Sequence, residues 1–326
     1  MAIKVFIQTK KFNKGGPAIF RSRLITSLNK FEDIEVTNNF EDDFDIEIAF
    51  ISRVYKHDKP YILRLGNCYY FKGYKPWNNK PIKKAIPNAS HVIFQSDFGK
   101  KLLYRVLRIK ELELMQSPCD VIYNGVDVDY IESVQPSEEI IPGSFFSCAR
   151  WDPNKRPRSM IKGFLEAQTG RHLYIAGDVG VEGSGKNLGK KFQNNKYIHF
   201  LGKKTNEETI SIMKACDYQM HLSFIDVCPN VVLEGLTAGL NVLCTNLGGT
   251  PEIVGENGII LNQDKFWPYP QRYLKSRIEN MDNLDKRAVS QGVIDLLKMQ
   301  RSGTRRDFDV DHVAKKYANI IRNVLK

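Results

Sequence analysis

The segment YQMHLSFIDVCPNVVLEGLTAGLNVLCT, residues 218–245, decides the reading of the fold. Tyr218 to Leu222 is a short apolar run of strand length. After a loop, Pro229 is placed to open a helix over Asn230 to Ala238, because proline is tolerated in a first turn, where its missing N–H removes no bond. Val242 to Thr245 returns to a strand pattern. Strand, helix and strand in so short a stretch imply parallel strands joined by a crossover helix.

The same alternation extends in both directions. Toward the N-terminus it predicts strands near 3–8, 46–51, 61–65, 91–95 and 121–123, with helices near 19–30 and 98–107. Over the rest of the chain it predicts strands near 144–149, 173–176 and 198–201, with helices near 158–167, 206–216 and 310–325. Gln135 to Gly143, polar and acidic with Pro136 and Pro142, reads as a linker between the two series. A chain of 326 residues exceeds one ordinary hydrophobic core, so two domains are expected, residues 1–140 and 141–309. The class is α/β, with two doubly wound, Rossmann-like domains facing a central cleft and ligands beyond the carboxyl ends of the strands.

Hydrophobic residues make up 42% and charged residues 26%, which suits packed cores and excludes a disordered chain. No run reaches the roughly 20 apolar residues of a membrane span; even Val231 to Cys244 is interrupted by Glu234 and Asn241. Met1 to Gln8 runs straight into a strand without a secretory leader, so a cytoplasmic protein is expected. Cys68, Cys119, Cys148, Cys216, Cys228 and Cys244 show no Cys-x-x-Cys spacing and read as reduced, mostly buried thiols.

The net charge of +11 is concentrated. Residues 53–110 hold fourteen Lys or Arg against Asp58 and Asp97, a local charge of +12. Tyr69, Tyr70, Phe71, Tyr74 and Trp77 lie beside Lys72, Lys75 and Lys80, a mixture that suits a membrane headgroup layer. An anionic membrane surface, or a lipid-linked or phosphate-bearing acceptor, is the expected partner. A nucleic-acid-binding protein or a DNA-modifying transferase using this segment is the alternative, and no nucleic acid is expected as partner.

Ser147 to Lys155, SCARWDPNK, closes a strand and leads into a helix, so Arg150 and Lys155 are placed where the sheet meets the cleft. A planar guanidinium fork beside a point charge suits a diphosphate and offsets the charge that grows on it as a leaving group. Asp226 and Glu234 stand eight residues apart around Pro229, Asn230 and Val231. The amides of a helix start favour phosphate or a sugar hydroxyl, and Glu234 accepts two hydrogen bonds from a ribose diol. Gly248-Gly249 permits close backbone approach, and Gly15-Gly16-Pro17 follows the first strand as an anion-accepting loop would.

In order along the chain, Gly15-Gly16-Pro17, VIYNGVD (121–127), Arg150 with Lys155, IAGD (175–178), HFLG (199–202), Asp226 to Glu234 and GGTPE (248–252) resemble the retaining, nucleotide-sugar-dependent glycosyltransferases of family 4, which have the GT-B fold. The resemblance implies a hexosyltransferase that needs no metal or other cofactor and uses a UDP-, GDP- or ADP-linked sugar as donor and a glycan, lipid-linked or phosphate-bearing acceptor. It implies that Arg150 and Lys155 bind the diphosphate, that Glu234 binds the ribose, that Gly177 and Gly202 line the donor site, and that Asp226 touches the transferred sugar. Asp226 stands where the family has Glu, one methylene longer. The final helix, 310–326, is expected to return to the first domain. Arg64, Asn67, Tyr69 and Tyr70 resemble an acceptor loop of a subgroup. Two decoys stand beside these motifs. GVEGSGKN (180–187) lacks the hydroxyl of a P-loop, and the Asp-x-Asp pairs at 43/45, 127/129 and 309/311 fit strand starts, turns and caps better than a metal site.

Overall fold

Apolar runs such as IEIAF and LYIA become strands because both of their faces are covered, so no polar alternation is needed. The computed structural model describes residues 2–8, 15–68, 79–107, 117–178, 188–262 and 282–326. The chain forms two compact units, Met1–Asp127 with Asp307–Lys326, and Val128–Arg306. The first contains β1 (Ile3–Ile7), α1 (Gly16–Leu28), β2 (Ile34–Thr37), β3 (Ile46–Phe50), β4 (Tyr61–Leu65), α2 (Lys80–Ala85), β5 (His91–Phe94), α3 (Asp97–Leu107) and β6 (Cys119–Val121). The second contains α4 (Val128–Ser133), β7 (Phe145–Cys148), α5 (Pro157–Glu166), β8 (Leu173–Ala176), α6 (Leu188–Phe192), β9 (Ile198–Gly202), α7 (Asn206–Ala215), β10 (Tyr218–His221), α8 (Asn230–Thr237), β11 (Asn241–Thr245), α9 (Thr250–Val254), β12 (Gly258–Leu261) and α10 (Lys286–Leu297). Helix α11 (Val310–Val324) belongs to the first unit.

Each unit carries a six-stranded sheet, ordered β2-β1-β3-β4-β5-β6 and β12-β11-β10-β7-β8-β9, with its strands parallel. In the first unit α1 and α11 cover one face: Phe20, Leu24 and Leu28 pack with Ala314, Tyr317 and Ile321 over Val5, Ile7, Ile46 and Ile48. Asp309 caps α11 by accepting from the Asp311 N–H at 2.9 Å, and Val310 N–H donates to the Val126 carbonyl at 2.8 Å. On the other face Phe6 meets Phe40, Phe44 and Tyr55.

The second unit is covered on both faces, as a doubly wound sheet must be. Met160, Ile161 and Phe164 of α5 pack with Val289, Val293 and Leu296 of α10 on one side. Ile212 and Met213 of α7, with Cys216 and Leu240, cover Phe146, Tyr174 and Ala176 on the other. The stretch expected as a linker lies inside this unit: Ile140 is part of the second core cluster, and Ser137 N–H donates to the Ser211 carbonyl at 3.0 Å. Its prolines and acids mark an exposed loop rather than a junction.

Strands β2 and β12 were not legible as strands. Both are four-residue edge strands, half exposed, and the alternation of IEVT and the apolar run of GIIL are each too short to stand out from a loop.

Candidate functional site

The order of the second sheet reverses between β7 and β10. Both strands start a crossover that runs away from the other, which leaves the loops beyond their carboxyl ends side by side at a topological switch point. After β7 the chain turns through Asp152, whose side chain accepts from Asn154 N–H at 2.9 Å, into a short 3-10 turn at Pro153–Lys155. The buried Trp151 anchors this turn by donating from Nε1 to the Ala176 carbonyl at 2.8 Å. Asn154 then ties it to the loop after β10: Nδ2 donates to Ile225 O at 3.1 Å, Oδ1 accepts from Ile225 N–H at 3.3 Å, and its carbonyl accepts from Phe224 N–H at 2.7 Å.

That clamp sets Lys155 against Asp226. Lys155 Nζ donates to Asp226 Oδ2 at 2.6 Å, and His221 Nε2, at the end of β10, lies 3.6 Å from the same oxygen. Burial disfavours the Asp226 charge, but Lys155 and His221 outweigh it and hold the carboxyl well below the usual carboxylate range. Burial holds the His221 imidazole below its ordinary value, against the pull of Asp226. Arg150 differs: its side chain is 94% exposed and 3.9 Å from Asp152, so its guanidinium is presented to solvent.

Helix α8 starts four residues after Asp226, with Pro229 as the residue before its first turn rather than the first within it. Asn230 and Val231 open the helix, and Glu234 one turn on is only 6% exposed. Burial, with a smaller contribution from the Glu234 charge, pushes the thiol of Cys148, at the end of β7, up to about 11. An ordinary helical Glu is solvated.

Two glycines build the edge itself. Gly248 has φ of 114°, and a Cβ there would lie 2.6 Å from the Asp226 carbonyl, which also accepts from Gly249 N–H at 2.8 Å. The close approach expected for a ligand at this pair is made by the backbone of Asp226. Gly177, with φ of 99° and a Cβ position 2.1 Å from the Ala149 carbonyl, packs the end of β8 under the turn that carries Arg150. Gly177→Ala is expected to cost about 2 kcal/mol or more from backbone strain and displacement, read as a lowered urea midpoint at unchanged slope.

Residues 141–280 match the family of glycosyl transferases group 1. No curated protein matches the chain in sequence. Among solved structures the chain is similar to sucrose-phosphate synthase from Thermosynechococcus elongatus, at TM-score 0.66 and 11% identity over 99% of each chain. It is similar to HepE of Anabaena in complex with UDP-glucose, at TM-score 0.63 and 17% identity over 98% of this chain and 100% of that one. A third is WaaG, a glycosyltransferase involved in lipopolysaccharide biosynthesis, at TM-score 0.56 and 12% identity over 98% and 99%. At such identities the likeness establishes the fold, two Rossmann-like domains of the GT-B type.

Apart from Gly15 and Gly16, the donor-side residues named from sequence lie in the group 1 segment, and Arg150, Lys155, Gly177, Asp226 and Glu234 gather at one edge of one sheet. Gly202 ends β9, and its carbonyl accepts from Gly177 N–H at 2.7 Å. In the first unit Gly15 precedes α1 with φ of 76°, and Gly16 begins it. Arg64 is 1% exposed and bonded to Asn124, with its guanidinium 4.2 Å from the Phe20 ring. Its charge is spent inside the unit. Asn67 is exposed, its Oδ1 accepting from Cys68 N–H at 2.9 Å. Tyr69, Tyr70 and the aromatic stretch through Trp77 lie outside the described residues, as does the segment 180–187. Of the Asp-x-Asp pairs, Asp45 accepts from Lys4 N–H at 2.8 Å at the start of β3, and Asp309 caps α11.

Sequence reasoning missed His221 and Asn154. His221 ends a strand that also carries the buried Gln219, and polar residues at buried strand positions are a readable signal. Asn154 resembles any turn asparagine; its role depends on a partner 71 residues away.

Proposed function

We propose that the chain transfers a sugar from a nucleoside diphosphate donor held by the second unit, with retention of anomeric configuration and without a metal ion. The observation that carries this is the pairing, at the switch point, of an exposed Arg150 and an anchored Lys155 with a buried carboxylate, Glu234, one turn into the adjoining helix. The two cations take the diphosphate and offset the negative charge that grows on it as the glycosidic bond breaks. Glu234 accepts from the ribose hydroxyls, and the start of α8 faces its positive end toward bound phosphate or sugar. Arg150 and Lys155 supply the charge at the reacting centre, where Lys155 is ion-paired to Asp226. An acceptor attacking from the face that the phosphate leaves requires no protein nucleophile, so the rate rests on positioning and charge.

HepE was solved with UDP-glucose, which makes UDP the first nucleotide to try and a hexose the first sugar. A thermal-shift series with UDP, GDP and ADP tests the reading. A nucleotide at a hundred times its Kd adds roughly 2.7 kcal/mol of stability, and no shift with any of the three overturns the proposal. Turnover is expected to be unchanged in EDTA; a metal requirement would remove Arg150 and Lys155 as sufficient charge stabilisers.

The acceptor is read as lipid-linked or phosphate-bearing, from the charge of residues 53–110. Among the described residues this segment includes Lys83 and Lys84 in the last turn of α2 and Lys100, Lys101 and Arg105 on α3. No helix among the described residues is long and apolar enough to cross a membrane. Cations near an anionic leaflet contribute roughly 1 kcal/mol each, enough in number to recruit the enzyme reversibly. Sedimentation with anionic vesicles is expected to exceed that with neutral ones and to fall with salt. Equal, negligible binding to both would leave the charge as a solubilising surface.

A further inference from the structure

We propose that Asp226 is a positioning residue for Lys155 rather than a contact to the transferred sugar, and that His221 is the second member of that device. The inference rests on the donor-site reading above and assigns a role within it.

The geometry gives the Asp226 carboxylate an internal task. Its Oδ2 accepts from Lys155 Nζ at 2.6 Å and lies 3.6 Å from His221 Nε2, so its hydrogen bond goes to Lys155 while the imidazole stands behind it. The backbone that delivers it has little freedom. Gly249 N–H holds the Asp226 carbonyl, Gly248 leaves no room beneath it, and Asn154 grips the adjacent Ile225 through both its N–H and its carbonyl. A side chain one methylene shorter than Glu, starting from so fixed a point, is spent on reaching Lys155.

Lys155 gains from this. A lysine ammonium sits on a flexible four-carbon stem and has three donors, so a single carboxylate can hold it in one place and leave two donors for phosphate oxygens. His221 closes the back of the device. Its side chain is 5% exposed and ends β10, so it stays where the strand puts it. Burial keeps its imidazole neutral at lower pH than usual, so the ring, 3.6 Å from Asp226 Oδ2 and without a hydrogen-bond partner at Nε2, backs the carboxylate without competing with Lys155 for it. Arg150, exposed on the other arm of the same turn, has no such support and supplies the adaptable contact.

Binding to the purified full chain separates this role from a sugar contact. With whichever of UDP, GDP or ADP stabilises the wild type, calorimetry compares the bare nucleoside diphosphate with its glucose conjugate. Asp226→Asn is expected to change both affinities by the same factor, about tenfold for the loss of a directly coupled pair. In a Lys155→Ala background the same substitution is expected to have no further effect. His221→Leu is expected to shift both ligands in parallel and to lose its effect in that background, while His221→Gln, which keeps a donor near Nε2, restores most of the wild-type affinity. A loss confined to the sugar conjugate, or an Asp226→Asn effect that persists without Lys155, overturns the assignment. Absence of binding by the wild type to all three nucleotides would instead defeat the donor-site reading itself.

Discussion

Replacing Glu234 with alanine is expected to weaken nucleoside diphosphate binding by about 1.5–3 kcal/mol, the range for hydrogen bonds to a charged group. That is about 10- to 160-fold in Kd. The carboxylate is 6% exposed on a helix whose buried residues include Val232, Leu233 and Leu236 on the same turns, so the helix itself has ample apolar support without it. Circular dichroism should therefore report a folded variant. Unchanged nucleotide affinity in calorimetry would remove Glu234 from the site.

The largest effect on turnover is expected from the Arg150→Ala, Lys155→Ala double variant. Loss of a single preorganised charge stabiliser costs about 100- to 1,000-fold in kcat. On the proposed reading the two groups act on one diphosphate, so the double loss should differ from the sum of the single ones. Their structural consequences separate them. Arg150 is almost fully exposed, and its removal should leave the melting temperature unchanged. Removing Lys155 leaves the half-buried Asp226 carboxylate without its closest counter-charge, and the protein should be destabilised. The sign with pH follows from the depressed Asp226 value. The stabilisation is present above the unfolded carboxyl pKa, near 3.9, and is lost as pH falls below it. The gap in stability between wild type and Lys155→Ala should thus be wide at pH 7, begin to narrow below about pH 4 and close only as pH falls through the depressed folded value. Turnover that survives in the double variant would show that neither cation serves the leaving group.

The sequence was most legible where physics is local. The run from Tyr218 to Thr245 reads as strand, helix and strand because side-chain periodicity and a well-placed proline need no knowledge of the rest of the chain. Arg150 and Lys155 could be placed beyond a strand end for the same reason. By contrast Arg64, at the end of the strand expected over 61–65, reads as an acceptor contact through resemblance alone. Only packing between the Phe20 and Phe50 rings shows that it is enclosed. Gly248-Gly249 likewise reads as room for something, and the chain alone does not say that the occupant is the backbone of Asp226.

By itself, then, the sequence determined two α/β halves of alternating strands and helices. Those follow from short-range spacing. The tertiary structure alone decided that β7 and β10 are neighbours, that Asn154 joins their loops, and that Lys155, Asp226 and His221 meet at one oxygen atom. Strand order arises from pairings between segments some seventy residues apart, and such pairings are selected by the burial of whole sheet faces rather than by any local preference.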